Sequence, residues 1–239
     1  MNDDLARIWV YLSTTPLVGL TATLVAYRLG YAAFVRSGRN PAANPVLIAV
    51  VLLAGLLWLT DTPYRTYFDG AQFVHFLLGP ATVALAVPLY RHFAAIKRAA
   101  FAIAVSIVAG SLAAIAAAIG TAWLLGASRE TLLSLAPKSV TTPVAMGIAE
   151  QIGGLPSLTA ALVILTGIIG AVCATFVLNA AGIKDWRARG LAIGVAAHGI
   201  GTARAFQVND VAGAFASVGM GLGALATAIL VPLVVRLIL

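Results

Sequence analysis

The sequence predicts an all-α polytopic membrane protein with about seven or eight transmembrane segments, some of them broken or re-entrant. Three observations predict it. Of 239 residues, 61% are hydrophobic and 10% charged, with a mean hydropathy of +1.00, whereas a soluble domain carries about 25% charged residues. This composition excludes a water-soluble globular protein, a disordered chain and a disulfide scaffold. The apolar runs are also continuous over roughly 17 or more residues, about the length a helix needs to cross the hydrocarbon core. Finally, the alternating polarity of a transmembrane barrel is missing. In lipid every backbone N–H and C=O is paired internally, so helices follow. The whole chain, 1–239, reads as one membrane domain without room for a soluble one.

The elements follow in order. The first segment runs from about Ile8 to Val35, with its best span near Thr14 to Phe34. Its acidic start, Met1-Asn2-Asp3-Asp4, is wrong for a secretory signal, so this stretch is expected to stay in the mature protein. The second covers about Pro45 to Thr60, followed by a polar loop over Asp61 to Asp69. The third, about Ala71 to Tyr90, contains Gly79-Pro80 and Pro88; the fourth, about Ala99 to Ala127, is long and uncharged. The fifth, about Thr131 to Gly154, holds Pro137, Lys138, Pro143 and Glu150. The sixth runs from about Ser157 to Ile183, the seventh from about Gly190 to Ala205, and the last from about Val211 to Leu239.

The net charge of +7 sits in short clusters between apolar runs: Arg36 and Arg39; Arg91, Lys97 and Arg98; Lys184, Arg187 and Arg189. These are topology signals, since Lys and Arg accumulate in cytoplasmic loops. No basic stripe interleaved with exposed aromatics points to nucleic acid. With all three clusters cytoplasmic, the fourth segment runs outward and the sixth inward. The fifth must then enter and leave from one face, as a re-entrant hairpin. A full crossing by the fifth would instead place Lys184, Arg187 and Arg189 outside. A weak echo, Pro80-Ala-Thr82-Val83 against Pro137-Lys-Ser139-Val140, suggests repeats over about 45–128 and 130–239, with Thr82 the counterpart of Ser139. Broken helices from two such repeats meet near the midplane in many transporters.

Pro137-Lys138-Ser139-Val140-Thr141-Thr142-Pro143 carries the chemistry. Each proline lacks an N–H and clashes with the preceding turn. In a membrane such a break is tolerated where backbone is protein-buried or lines a wet cavity. Lys138, Ser139, Thr141 and Thr142 then gather at the N-terminus of a half-helix, whose amides favour an anion. The alternative is a kinked interfacial loop with a snorkelling lysine. Glu150 is a candidate for proton coupling or for pairing with Lys138 or Arg204; alternatively it ends a loop at the interface. Gly190, Gly194, His198 and Thr202 share one face of a regular helix. His198 titrates near neutrality and suits proton coupling or substrate binding, and otherwise bonds a neighbouring helix. Gly199 and Gly201 are the expected break that would turn Arg204 inward; without it Arg204 snorkels. The candidate substrate-binding residues are Lys138, Ser139, Thr141, Thr142, Thr82, His198, Thr202 and Arg204. His75, His92, His198 and Cys173 lack metal-ligand spacing, and no cofactor is expected.

The run PKSVTTPVAMGIAEQIGG, then KDWRARGLAIGVAAHGIGTARAF and GAFASVGMGLGALATAILVPL, with NPVLIAVVLL and FLLGPATVALAVPLYRH upstream, closely resembles the LrgB/CidB family over roughly residues 14 to 236. The resemblance implies a multi-pass protein of the bacterial cytoplasmic membrane, described as antiholin-like or holin-like. Such proteins are linked to control of murein hydrolase activity and lysis, with a small LrgA or CidA membrane partner. A plastid relative exchanges glycolate and glycerate, and bacterial relatives are tied to pyruvate. Ala174-Thr175 stands where the resemblance implies Gly-Pro, and Gly147 where it implies a larger, often acidic residue. Two functions result: a secondary carrier of small monocarboxylates, or a holin–antiholin type pore or regulator. No enzyme is expected, since neither a His-Glu-x-x-His motif nor a nucleophile–base pair is present. Small-residue faces suggest a homodimer.

Overall fold

The computed structural model describes residues 16–77, 80, 83–84 and 86–238, and among these all regular structure is helical. The chain forms two compact units that divide between Ala84 and Leu85.

The first unit contains α1 (Pro16–Arg36), α2 (Pro45–Leu59) and α3 (Tyr64–Phe76). Asn44 starts α2: its Oδ1 accepts from the amides of Val46 and Leu47 at 2.9 and 3.2 Å, and Pro45 occupies the first turn, where a missing N–H costs nothing. Both α2 and α3 pack on α1. A Cβ on Gly19 would stand 2.6 Å from the Tyr67 carbonyl oxygen, so only glycine permits that approach. The polar loop expected over 61–69 is instead largely helix from Tyr64 onward. Tyr64 stacks with Tyr67 and Phe68 at 6.0 and 5.8 Å, and the Tyr67 hydroxyl bonds Thr23 of α1 at 2.7 Å. Aromatic packing on α1 outweighs the polar composition of that stretch. Of the third segment, expected over 71–90, the described residues place 71–76 in α3 with a turn at Leu77, and give helical conformation to Pro80, Val83, Ala84 and 86–90.

The second unit contains α4 (Ala86–Arg91), α5 (Phe93–Arg98), α6 (Ala100–Leu124), α7 (Arg129–Leu135), α8 (Thr142–Ile152), α9 (Pro156–Ala180), α10 (Trp186–Val208) and α11 (Asp210–Ile238). Among the described residues, four helices are long and apolar enough to cross a membrane: α1, α6, α9 and α11. Large apolar side chains such as Phe101, Trp123 and Phe176 are exposed on them, as a lipid-facing surface requires. α9 is unbroken through Ala174-Thr175.

Two segments double back. In the first, the Leu155 amide donates to Ser134 Oγ at 2.8 Å, and Thr159 Oγ1 donates to the Ser134 carbonyl at 3.0 Å. The chain from 134 to 154 therefore ends where it began, with the 136–141 turn at its far end. Ser134 is fully buried and its own hydroxyl donates to the Glu130 carbonyl at 2.6 Å. Ser134→Ala leaves the Leu155 amide without its acceptor; we expect a loss of about 1–3 kcal/mol, read from thermal unfolding in detergent.

The second reversal lies inside α10, at Ala197 (φ −129°, ψ 15°) and His198 (φ 40°, ψ −133°). A Cβ on Gly201 would fall 3.1 Å from the Ile193 carbonyl oxygen, a separation of about 12 Å in a straight helix. The half 199–208 thus folds back on 186–196. α11 then runs alongside the first half, since Gly190 and Gly194 abut the backbone of Ala212 and Ala216 at one common offset. This is the close small-residue packing of membrane helices. The break expected at Gly199 and Gly201 is displaced to Ala197–His198.

Two buried clusters mark the two ends of this unit. Ile103 and Ile107 of α6 pack with Leu191, Phe215 and Val218. Ile115 and Ile119 of α6 pack with Leu133, Ile148, Val163, Val231 and Val235. α6, the first half of α10 and α11 therefore run in one direction. The connection into α10 is held by buried Arg189, whose Nη1 donates to Asn179 Oδ1 and the Ile183 carbonyl at 2.9 and 2.7 Å. Asp185 caps α10 and pairs with Arg187 at 2.6 Å, which pulls its carboxyl pKa down to about 2.

Candidate functional site

The prolines act as the sequence predicts. Pro137 follows α7 and is buried beside Val140, anchoring the turn. The chain becomes extended at Thr141 (φ −62°, ψ 144°), and α8 starts with Pro143 in its first turn. The first intrahelical bond runs from the Ala145 amide to the Thr141 carbonyl at 2.9 Å. The amides of Thr142 and Val144 therefore point out of the helix N-terminus, and the Thr141 side chain does not cap them. Lys138, Ser139, Thr141 and Thr142 are all half-buried. Among the described residues, no hydrogen bond or ion pair engages the side chains of these four. Residues 138–144 thus carry one ammonium, three hydroxyls and two amides without partners among the described residues.

The second reversal faces the same place. His198 is 4% exposed, and its Nε2 lies 2.9 Å from the Val163 carbonyl oxygen on α9. A carbonyl only accepts, so Nε2 carries a proton and donates it to Val163. The ring lies within Coulombic range of Lys138. The strained φ of His198 belongs to a region where a side chain costs about 1–3 kcal/mol, and surrounding packing holds it there. A Cβ on Gly167 would stand 2.7 Å from His198 Cε1, and one on Gly170 would stand 2.5 Å from the Ala197 Cβ. The missing side chains of these two glycines make room for the tip of α10 near the middle of α9.

The other candidates are placed as follows. Thr202 is buried, and its hydroxyl donates to the His198 carbonyl at 2.7 Å; it serves the reversal and does not continue a common face with Gly190 and Gly194. Arg204 is half-buried, and its Nη1 donates to Gln207 Oε1 at 3.4 Å. Glu150 is exposed and, among the described residues, pairs with neither Lys138 nor Arg204. Thr82 lies outside the described residues. Among the described residues, no His, Cys, Asp and Glu group could hold a metal. Sequence reasoning misses Val163, Gly167 and Gly170. The signal for the last two is a pair of glycines three apart in an uncharged span.

A family model described as LrgB-like matches residues 23–237. A Bacillus subtilis protein named YwbG is 39% identical over 88% of this chain and 93% of its own length. A holin-like protein CidB of Staphylococcus epidermidis is 33% identical over 83% and 86%. An antiholin-like protein LrgB of Bacillus mycoides is 30% identical over 92% and 95%. No solved structure matches. With the family model covering most of its length and relatives at this identity, the chain belongs to the LrgB-like family of multi-pass membrane proteins.

Proposed function

We propose that the protein is a secondary carrier of small monocarboxylates of the glycolate, glycerate or pyruvate kind. One observation carries the reading: Lys138 and the hydroxyls of Ser139, Thr141 and Thr142 lack partners among the described residues at the N-terminus of α8, beside His198. The ammonium and the amides would hold the carboxylate, and the hydroxyls the second oxygen function. His198 or Glu150 would move a proton, and Arg204 would assist at the margin of the site.

The topology supports this. Lys97 and Arg98 precede α6, and Lys184 and Arg187 lie at the start of the parallel first half of α10. Both clusters therefore lie at one end, read as cytoplasmic. α6 runs outward and α9 inward, so 129–154 enters and leaves from the outer face. Residues 186–208 do the same from the cytoplasmic face. Two re-entrant hairpins then bring Lys138 and His198 together at mid-depth, and the seven or eight hydrophobic segments comprise full crossings plus these hairpins. We place the protein in the bacterial cytoplasmic membrane as a non-enzymatic homodimer, with a small LrgA- or CidA-like membrane partner. The repeats over about 45–128 and 130–239 belong to this reading.

The names of the relatives favour a second reading, a holin- or antiholin-type pore or regulator of murein hydrolase activity. It has no fixed substrate. The two separate on Ser139→Cys in a Cys173→Ala background, labelled with a small thiol reagent. A carrier site predicts that glycolate slows labelling saturably while glycerol does not; labelling indifferent to both favours the pore.

A further inference from the structure

We propose that a groove between α6 and the first half of α10 holds one acyl chain of an anionic phospholipid, with its phosphate at Arg187. The groove encloses ≈ 540 Å³. Its walls are Ala102, Ser106 and Gly110 of α6 and Ala192 and Ala196 of α10, with Phe215 at the floor. Ala102, Ser106, Ala192 and Ala196 are exposed, so it opens sideways. It is not an aqueous path for a small acid, because almost everything along it is methyl or ring carbon.

Dimensions and charge select the occupant. On α6 the lining extends from Ala99 to Ala114, about 22 Å at 1.5 Å per residue, which exceeds the ~15 Å depth of one leaflet. Spread over that length, the groove is a slot narrower than a helix about 10 Å across. A single hydrocarbon chain fits and a transmembrane helix does not. The polar end carries Arg187 with Asp185. Arg187 uses Nε and Nη2 on Asp185, which leaves Nη1 for a phosphate oxygen. Lys184 and, next to the lining residue Ala99, Lys97 and Arg98 are exposed at the same end. Cations thus outnumber the carboxylates of Asp185 and, at the start of α11, Asp210. Basic recesses between membrane helices at the cytoplasmic side suit anionic headgroups.

The test uses the full chain reconstituted in phosphatidylcholine vesicles, with chain-spin-labelled phosphatidylglycerol or phosphatidylcholine as probe. Electron spin resonance separates immobilised from mobile lipid. We expect several-fold selectivity for phosphatidylglycerol, reduced towards one by Arg187→Gln with Lys184→Gln. Ser106→Phe fills the groove and should lower the number of immobilised lipids, while Leu112→Phe, on an exposed part of α6 outside the lining, should not. Absent selectivity, or selectivity indifferent to both sets of changes, overturns the proposal. So does a Ser106→Phe protein of altered oligomeric size but unchanged lipid immobilisation, which would assign the groove to a protein contact.

Discussion

Lys138→Gln is expected to weaken the apparent affinity for glycolate by about 10- to 150-fold, the equivalent of losing one charge-assisted hydrogen bond of about 1.5–3 kcal/mol. The magnitude follows from the surroundings of Lys138. It is half-buried, joins no ion pair among the described residues, and has the amide end of α8 beside it. An anion arriving there replaces its hydration with one ammonium and two oriented N–H groups, and the helix end adds its partial positive charge. Glutamine keeps length and a donor but removes the charge. Lys138→Arg should retain part of the affinity, since it keeps the charge on a bulkier planar group. The concentration dependence of uptake into proteoliposomes reads both. Because Lys138 leaves no partner stranded among the described residues, the variant should melt within about 0.5 kcal/mol of the parent, as ordinary surface substitutions do.

Gly167→Ala is expected to damage stability and transport together. The new methyl would lie 2.7 and 2.8 Å from the imidazole and 2.9 Å from the Ile200 Cδ1. Over-packing of this kind costs about 1–3 kcal/mol. The imidazole must move, and with it goes the hydrogen bond to the Val163 carbonyl that holds the tip of α10 opposite Lys138. Gly147→Ala is the control: nothing lies within 4 Å of a Cβ there, and alanine is the better helix former, so melting temperature and uptake should hold or improve. His198→Ala in the Gly167→Ala background relieves the clash. The double variant should melt close to His198→Ala alone, because the two changes share one contact and are not additive. Equal damage from Gly147→Ala and Gly167→Ala would remove the tip of α10 from the account.

The contrast between Pro137–Pro143 and Ala197–His198 explains how far the sequence can be read. A proline announces a break by what it lacks, an N–H, so the turn after α7 and the start of α8 are legible in the residues themselves. Local pattern assigns the reversal in α10 to glycines, because glycine adopts positive φ at little cost. The chain places that conformation on His198 instead, where α9 supplies a carbonyl for the ring and two missing side chains for the turn. Those are contacts between residues about 30 apart, which local pattern does not encode. The uncharged spans α6 and α9, and the apolar span α11, are legible from hydropathy alone. The re-entrant reading of 129–154 comes from charge, because Lys97, Arg98, Lys184 and Arg187 need to share a side. Thr202 shows the limit of face arithmetic: a periodicity computed along one straight helix has no meaning across a reversal. For α3, composition points to a loop, and stacking among Tyr64, Tyr67 and Phe68, with Tyr67 bonded to α1, makes a helix.

The most direct measurement is counterflow in proteoliposomes. Vesicles loaded with unlabelled glycolate are diluted into a trace of labelled glycolate. A carrier with one alternating site at Lys138 must accumulate label transiently above its equilibrium level, and the Lys138→Gln protein at the same concentration must fall well short of that. Monotonic equilibration with no overshoot, accompanied by loss of an unrelated solute such as sucrose, would contradict the account and leave a pore.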